Sequence, residues 1–412
     1  MQSNQRAPQR QNASMGLAAA IGFGLVACVL YGVGAGLRGD IGILLTPLSE
    51  HCGLPYADVS FCIAVMNLVF GAAQPAFGLL AARRSNRFVL LCGTALLAAS
   101  LIGMSAARSF WALFCSLGLL FGLGAGALAF GLILSSAMRR VGPERAMMIS
   151  GMLNAAAGLG AFALSPTIQG LLDADGTSFA LTTLLLPVAA LVPIAFVVTS
   201  ADGKGRVPED SQSPRTADQS SPGLFRRAFS NRTFLLLVAG FSTCGFHMVI
   251  IESHLFSQYL SYGIPATSAS WAFSLYGIAT IFGALLSGWL SVKVPKGRLL
   301  VFYYGFRALW VLAFIFLMPK TLATAILFST GLGLTGDATV SPTAGLVNQQ
   351  FSLAEAATLI GVLFFGHQIG GFLSAWLGGV LLGATGSYTV LWVLDAALCA
   401  LAALASANIR NR

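Results

Sequence analysis

Apolar residues occur in this chain as long runs, and short polar segments separate them. Twelve of these runs are about 20 residues long, which is the length that a helix needs to cross a bilayer. They lie near residues 16–38, 58–81, 88–106, 110–136, 146–171, 178–199, 233–258, 267–292, 299–317, 321–346, 357–383 and 388–408. Inside lipid each backbone polar group must find its partner within its own segment, so each run is predicted to be helical. The pattern therefore predicts an all-α membrane protein with twelve transmembrane helices.

The last six runs repeat the first six at an offset of 210 residues. The tripeptide GLP at 53–55 corresponds to GIP at 263–265, and GTS at 176–178 corresponds to GSY at 386–388. Between the copies, a stretch rich in Ser, Pro and charges predicts a flexible linker. We therefore predict two pseudo-symmetric six-helix halves, divided as follows: tail 1–14, first half 15–200, linker 201–230, second half 231–408 and tail 409–412.

Charge is scarce and lies mainly on one side of the predicted topology. Only 9% of the residues are charged, and 19 of the 23 Lys and Arg residues fall in the tails, the linker or the loops of one face. This asymmetry follows the positive-inside rule, which predicts that both termini are cytoplasmic. The net charge of +9 therefore reflects membrane topology, and we expect no nucleic-acid partner.

Two basic loops occupy equivalent places in the halves. The first reads GLLAARRSNR and contains Arg83, Arg84 and Arg87; the second reads GWLSVKVPKGR and contains Lys293 and Arg298. The first loop resembles the G-x-x-x-D-R-x-G-R-R signature of the major facilitator superfamily, with Ala82 and Ser85 at the Asp and Gly positions. This resemblance implies a transporter whose two halves rock about a central site, with these loops acting in gating.

The first run and the loop after it, YGVGAGLRGDIGILLTPLSEHCGL, are similar to the monocarboxylate-porter branch of that superfamily. Members carry a basic residue at the position of Arg38, and the neighbourhood of the bacterial oxalate/formate antiporters fits best. The resemblance implies a site for a small organic anion and a place in the inner membrane of a bacterium.

Arg38 and Asp40 are charges at the end of the first predicted span, within the apolar stretch YGVGAGLRGDIGILL, and a charge at mid-bilayer costs at least about 2.5–3.5 kcal/mol. Arg38 offers a permanent fork of donors suited to a carboxylate, so it is the predicted anion anchor; the alternative is a structural ion pair. Asp40 is about 200° further around a helix. We expect it to pack against a neighbour or lie at a gate, or else to carry a proton.

The seventh span, the copy of the first, contains His247, Glu252 and His254. His247 lies at the depth of Arg38 in the other half and is a predicted substrate-binding residue. His254 is a candidate for proton coupling because histidine titrates near neutral pH. Glu252 is a candidate for proton coupling, for a gate or for a structural partner.

The remaining candidates lie in the fifth and the eighth to eleventh spans. Arg307 and Asp337 have matching depths on consecutive helices and are predicted to form a structural ion pair. Predicted substrate contacts come from polar side chains that can bond either a ligand or another helix. They are Asn154, Tyr276, His367 and Gln368.

Together these features favour a secondary transporter of a small organic anion, a monocarboxylate, coupled to protons and working as a monomer. Efflux of a hydrophobic compound is the first alternative, and a non-transporting membrane sensor is the second. There is no GxxxxGK[ST] loop, no nucleophile–base constellation and no metal-ligand spacing, so we predict no enzyme activity, no cofactor and no metal.

Overall fold

The computed structural model describes residues 15–201 and 223–409. The predicted tail 1–14, the linker residues 202–222 and the last three residues lie outside this range. Among the described residues, ten helices are long and apolar enough to cross a membrane. These ten contain eleven of the predicted spans, because the 52-residue segment Met147–Val198 holds two of them. The twelfth is an interrupted helix, so all twelve predicted spans are helical.

The first half begins with α1, whose end is followed by a 3-10 turn, Ile41–Leu44, and a short helix, Leu45–Cys52. The run Ala146–Thr183 contains α5 and the beginning of α6, which Asp175 and Gly176 separate with non-helical backbone angles. The bounds are α1 Leu17–Gly39, α2 Tyr56–Arg83, α3 Asn86–Ala106, α4 Phe110–Val141, the α5–α6 run Ala146–Thr183, and the rest of α6 Leu185–Val198.

The second half contains α7 Arg232–Ser261, α8 Ala266–Lys293, α9 Lys296–Phe316, α11 Leu353–Thr385 and α12 Thr389–Ala407. α10 consists of two helices, Leu322–Gly336 and Val340–Gln350, joined by a 3-10 turn. The structure changes one predicted boundary: residues Leu224–Ser230 of the supposed linker form a helix that buries Leu224 and Ala228.

The two halves share their geometry at the predicted offset. α2 and α8 begin and end 210 residues apart, as do α3 and α9. Gly53 and Gly263 both have positive φ angles, 64° and 76°, in the turns that precede α2 and α8. The predicted duplication is therefore visible in helix boundaries and turns.

We call the face where α2, α8, α4 and α10 end the linker side, and the opposite face the far side. The halves pack along two seams, α2 against α11 and α5 against α8, and the turn after α1 also touches α7. Hydrogen bonds across the halves occur from the far ends to the middle of the bundle. Ser165 donates to the Ser270 carbonyl (2.9 Å), and Tyr56 bonds His254 (2.9 Å). The far side is thus held closed.

Candidate functional site

Arg38, in the last turn of α1, forms a two-pronged ion pair with Glu252 of α7. Its Nη1 donates to Glu252 Oε2 at 2.8 Å, and its Nη2 donates to Oε1 at 3.0 Å. The Arg38 side chain is 20% exposed and that of Glu252 is 8% exposed. This parallel geometry is the strong, orientation-specific form of the arginine–carboxylate bond, and here it joins the two halves near the centre of the bundle.

Asn67 and Phe70 of α2 complete the surroundings of the guanidinium. Arg38 Nη1 also donates to Asn67 Oδ1 at 3.1 Å, while Asn67 Nδ2 donates to the carbonyl of Ile63 at 3.1 Å. The Phe70 ring lies 4.9 Å from the guanidinium carbon, within the range of a cation–π contact. Asn67 is held by its own backbone bond and is therefore set to receive Arg38.

Both helices deviate from α geometry at this point, and they do so at equivalent positions. The 3-10 turn after α1 begins at Ile41, and the π-helical turn of α7 begins at Ile251, 210 residues later. Gly42 lies directly against the backbone carbonyls of Glu252 and Ser253, where a Cβ would collide. Because positions 42 and 252 are copies of each other, they meet on the pseudo-twofold axis that relates the halves.

Further polar groups of the second half face the same region. Asp337 lies at the break of α10, is partly exposed, and is subject to the charges of Glu252 and Arg38. Tyr276 of α8 is buried, and its hydroxyl has no hydrogen-bond partner. Buried polar atoms without partners are rare in native proteins, so this hydroxyl requires an explanation.

His367 and Gln368 of α11 lie at mid-depth. The charges of Glu252 and Arg38 act on His367, whose Nδ1 is buried and unpartnered. Gln368 packs its side chain on Gly71, one turn from Asn67, and its Oε1 is also unpartnered. The middle of the bundle thus combines a cation, two carboxylates and several unsatisfied polar atoms.

The comparisons with known proteins agree with this architecture. The family model of the Major Facilitator Superfamily matches residues 20–336 and 256–410. The chain belongs to this superfamily. It is a multi-pass membrane transporter and not an enzyme.

Several relatives of this superfamily protein are monocarboxylate transporters. Monocarboxylate transporter 11 of Mus musculus is 27% identical over 367 residues, which cover 87% of this chain and 80% of that protein. Monocarboxylate transporter 12-B of Danio rerio is 25% identical over 392 residues, covering 86% and 79%. The uncharacterized MFS-type transporter YcxA of Bacillus subtilis is 27% identical over 165 residues, covering 39% and 40%.

In this superfamily protein the predicted ion pair of Arg307 and Asp337 is not formed. Arg307 is completely buried and donates instead to the carbonyls of Thr335 and Gly336 (2.6 Å to the latter) and to Cys244 Sγ at 3.3 Å. The break of α10 frees these carbonyls, and they attract the guanidinium more directly than the carboxylate does. Equal depth on consecutive helices does not predict an ion pair by itself, because it does not determine the direction in which each side chain points.

His247 and His254 do not line an open cavity. His247 is fully buried between α7 and α12, and its Nδ1 lies 2.7 Å from Asp395 Oδ2. His247, Asp395 and Cys399 form a group in which the atoms that could bind a metal lie within 4.8 Å of one another. Within this group His247 and Asp395 form a hydrogen-bonded pair, which the sequence did not reveal because 148 residues separate the two.

His254 belongs to a hydrogen-bonded chain at the far side. Its Nε2 lies 3.0 Å from the carbonyl of Ala375, so Nε2 carries the proton and Nδ1 accepts from Tyr56. The Tyr388 hydroxyl donates to that of Tyr56 at 3.1 Å. Through these hydrogen bonds His254 links α7 to α2, to α11 and to the residue that precedes α12 at the far side.

Asp40 and Asn154 occupy different surroundings. Asp40 is 1% exposed, in agreement with the expected packed position, and its Oδ2 has no partner. Asn154 is exposed on α5, one turn towards the linker side from Gly158, which packs against Gly277 of α8. Since both lie on one face of α5, the α5–α8 seam no longer covers the helix at Asn154. The interface thus opens towards the linker side.

The predicted gating loops lie on the linker side. Arg83, Arg84 and Lys293 are exposed, and Arg87 donates to Thr199 Oγ1 at 3.0 Å. The bond from Arg87 ties the first turn of α3 to the end of α6.

Proposed function

We propose that this protein is a secondary transporter of a small organic anion, a monocarboxylate, coupled to protons. The observation that carries the proposal is the two-pronged pair of Arg38 and Glu252. A guanidinium fork that holds one of the protein's own carboxylates has the geometry to hold the carboxylate of a cargo molecule. When no cargo is bound, Glu252 occupies the position at Arg38 that the cargo carboxylate would take.

The relatives support the choice of cargo. Monocarboxylate transporters 11 and 12-B align with more than four fifths of this chain. Arg38 lies at the place where the monocarboxylate-porter resemblance expects a basic residue.

The exchange of carboxylates provides the coupling to protons. When the cargo takes the fork of Arg38, Glu252 loses its cation in a low-dielectric site, where an unpaired carboxylate is costly. Uptake of one proton by Glu252 restores the charge that the site had before the cargo entered. The cargo anion and the proton are therefore carried together, one for one.

Glu252 is the favoured proton carrier because it contacts the anion anchor directly. Asp40 and His254 remain alternatives: Asp40 is buried next to Gly42, which touches Glu252, and His254 lies two residues further along α7. Neither is bonded to Arg38, so cargo binding at Arg38 would reach them only indirectly.

The same exchange is linked to alternating access. Arg38 and Glu252 belong to different halves, so their separation removes a bond that holds the halves together. The far-side chain of His254, Tyr56 and Tyr388 and the basic loops Arg83–Arg87 and Lys293–Arg298 are the proposed gates. We further propose that the linker side is cytoplasmic, that the protein works as a monomer, and that it resides in the cell membrane of a bacterium.

Uptake of labelled lactate or pyruvate into proteoliposomes tests the proposal. An inward proton gradient is expected to drive accumulation by the wild-type protein. Arg38→Ala should abolish it, and Arg38→Lys should retain a small fraction because an ammonium group lacks the fork. Arg140→Ala, at an exposed position near the end of α4 and outside the proposed gates, is the control. Uptake that does not depend on the pH gradient, or that persists in Arg38→Ala, would refute the mechanism. Drug efflux without acid uptake would favour the first alternative.

A further inference from the structure

Of the two carboxylates that the described residues bring to the central region, Asp337 is the one that the proposed exchange does not use. It lies at the break of α10, partly exposed, and among the described residues its carboxylate forms no hydrogen bond or ion pair. The nearest expected partner, Arg307, directs its donors to the carbonyls of Thr335 and Gly336. A partly buried carboxylate at mid-membrane is costly unless something binds it.

The hydroxyl of Tyr276 indicates that a ligand belongs beside Asp337. This hydroxyl is buried and unpartnered, and it lies 3.1 Å from the place where Gly336 would carry a Cβ. Gly336 directly precedes Asp337, and the charge of Asp337 acts on Tyr276. A phenol oxygen accepts a hydrogen bond from a cationic N–H, and so does a carboxylate.

The charges of the site favour a cargo with a positive group. Arg38 is neutralised by Glu252, so Asp337 adds a negative charge to the region that an anion must enter. Arg307 offsets part of this field but leaves the carboxylate oxygens of Asp337 unbonded. A molecule with a carboxylate at one end and an ammonium at the other complements Arg38 and Asp337 at the same time.

We infer that the cargo is dipolar: a small monocarboxylate that also carries an ammonium group, its carboxylate bound by Arg38 and its ammonium by Asp337 and the Tyr276 hydroxyl. The inference rests on the proposed function for the carboxylate end. It adds a second contact point, which selects amino-substituted acids over plain acids.

Competition binding on the purified full-length protein tests this inference. The probes are three matched pairs: acetate and glycine, propionate and β-alanine, butyrate and 4-aminobutyrate. The wild-type protein is expected to bind at least one amino acid more tightly than its plain counterpart. Asp337→Asn should weaken that amino acid by roughly tenfold or more, as expected for a charged hydrogen bond, without weakening the plain acid. Asp175→Asn, at an exposed turn, is the matched control.

Tyr276→Phe provides a second variant that keeps the ring and should weaken only the amino acid, by a smaller factor. Preference of the wild-type protein for the plain acid in all three pairs would overturn the inference, as would an unchanged preference in Asp337→Asn. These results would leave the proposed function standing. Binding of none of the six probes, or binding unaffected by Arg38→Ala, would overturn the proposed function and this inference with it.

Discussion

The two halves of the molecule share a backbone plan but divide the chemistry between them. The first half supplies the guanidinium of Arg38, and its copy at position 248 is a methionine. The second half supplies Glu252, Asp337 and His367, whose copies at 42, 127 and 157 are glycine and two alanines. The two copies share their helices and turns, whereas the proposed site consists of residues that differ between the copies. A permanent charge on one half therefore faces titratable groups on the other, and the pair of Arg38 and Glu252 joins the halves.

The two seams between the halves show the same division. In the α5–α8 seam, Gly158 packs on Gly277, with the Gly277 Cβ position 2.6 Å from the Gly158 carbonyl. In the α2–α11 seam, the equivalent positions are Gln368 and Asn67, and Asn67 binds Arg38. One seam is therefore a close backbone contact, and the other carries polar side chains of the proposed binding site. The following variants separate these roles.

The largest loss of stability is expected at Arg307, whose copy in the first half is Leu97. Arg307→Ala leaves a buried cavity and removes the donors for the carbonyls of Thr335 and Gly336. We expect a loss of about 3–5 kcal/mol, measured as thermal or denaturant unfolding in detergent. Arg84→Ala, at an exposed loop, should change little. Equal stability of both variants would show that Arg307 does not hold the break of α10.

A methyl group at the glycine seam should have the next largest effect. In Gly158→Ala the new Cβ meets the carbonyl of Gly277, so the helices must separate. Overpacking of this kind costs about 1–3 kcal/mol. Gly151→Ala, where nothing lies within 4 Å, is the control and should be neutral or slightly stabilising. The same response at both sites would contradict a close α5–α8 contact.

Asn67→Ala tests the polar seam, where we expect a change in binding more than in stability. Loss of the hydrogen bond from Arg38 frees the guanidinium to move, and the affinity for a monocarboxylate should fall by about tenfold, or about 1.4 kcal/mol. Asn154→Ala, on the exposed part of α5, should have a smaller effect. An equal or larger loss of affinity in Asn154→Ala would indicate that the anion binds closer to the α5–α8 seam.

Tyr388→Phe should have the smallest effect, because it removes one neutral hydrogen bond from the far-side chain. We expect about 0.5–1.5 kcal/mol less stabilisation of the closed far side, seen as faster hydrogen exchange at the start of α2. Tyr303→Phe removes a hydroxyl that has no partner and serves as the control. Unchanged hydrogen exchange in Tyr388→Phe would show that the hydrogen-bonded chain of His254, Tyr56 and Tyr388 does not stabilise the closed far side.

The sequence predicted the twelve spans and their duplication, because these follow from the pattern of residues along the chain. It did not predict that Arg38 pairs with Glu252, which is 214 residues away and becomes a neighbour only when the halves meet. The pairing of Arg307 was predicted wrongly, since the free carbonyls exist only because α10 breaks at Asp337. The helix Leu224–Ser230 was missed because its seven residues are too short for a clear apolar period.

We propose that a cargo carboxylate takes the place of Glu252 at Arg38 and that Glu252 then binds a proton. Calorimetric titration of a monocarboxylate in buffers of different ionisation enthalpy measures the protons taken up on binding. We expect about one proton to be taken up per anion by the wild-type protein. We expect none in Glu252→Gln, which should bind the anion at least as tightly because the side chain that competes for Arg38 is neutral. The mechanism would be contradicted if proton uptake persisted in Glu252→Gln, or if this variant bound the anion much more weakly than the wild-type protein.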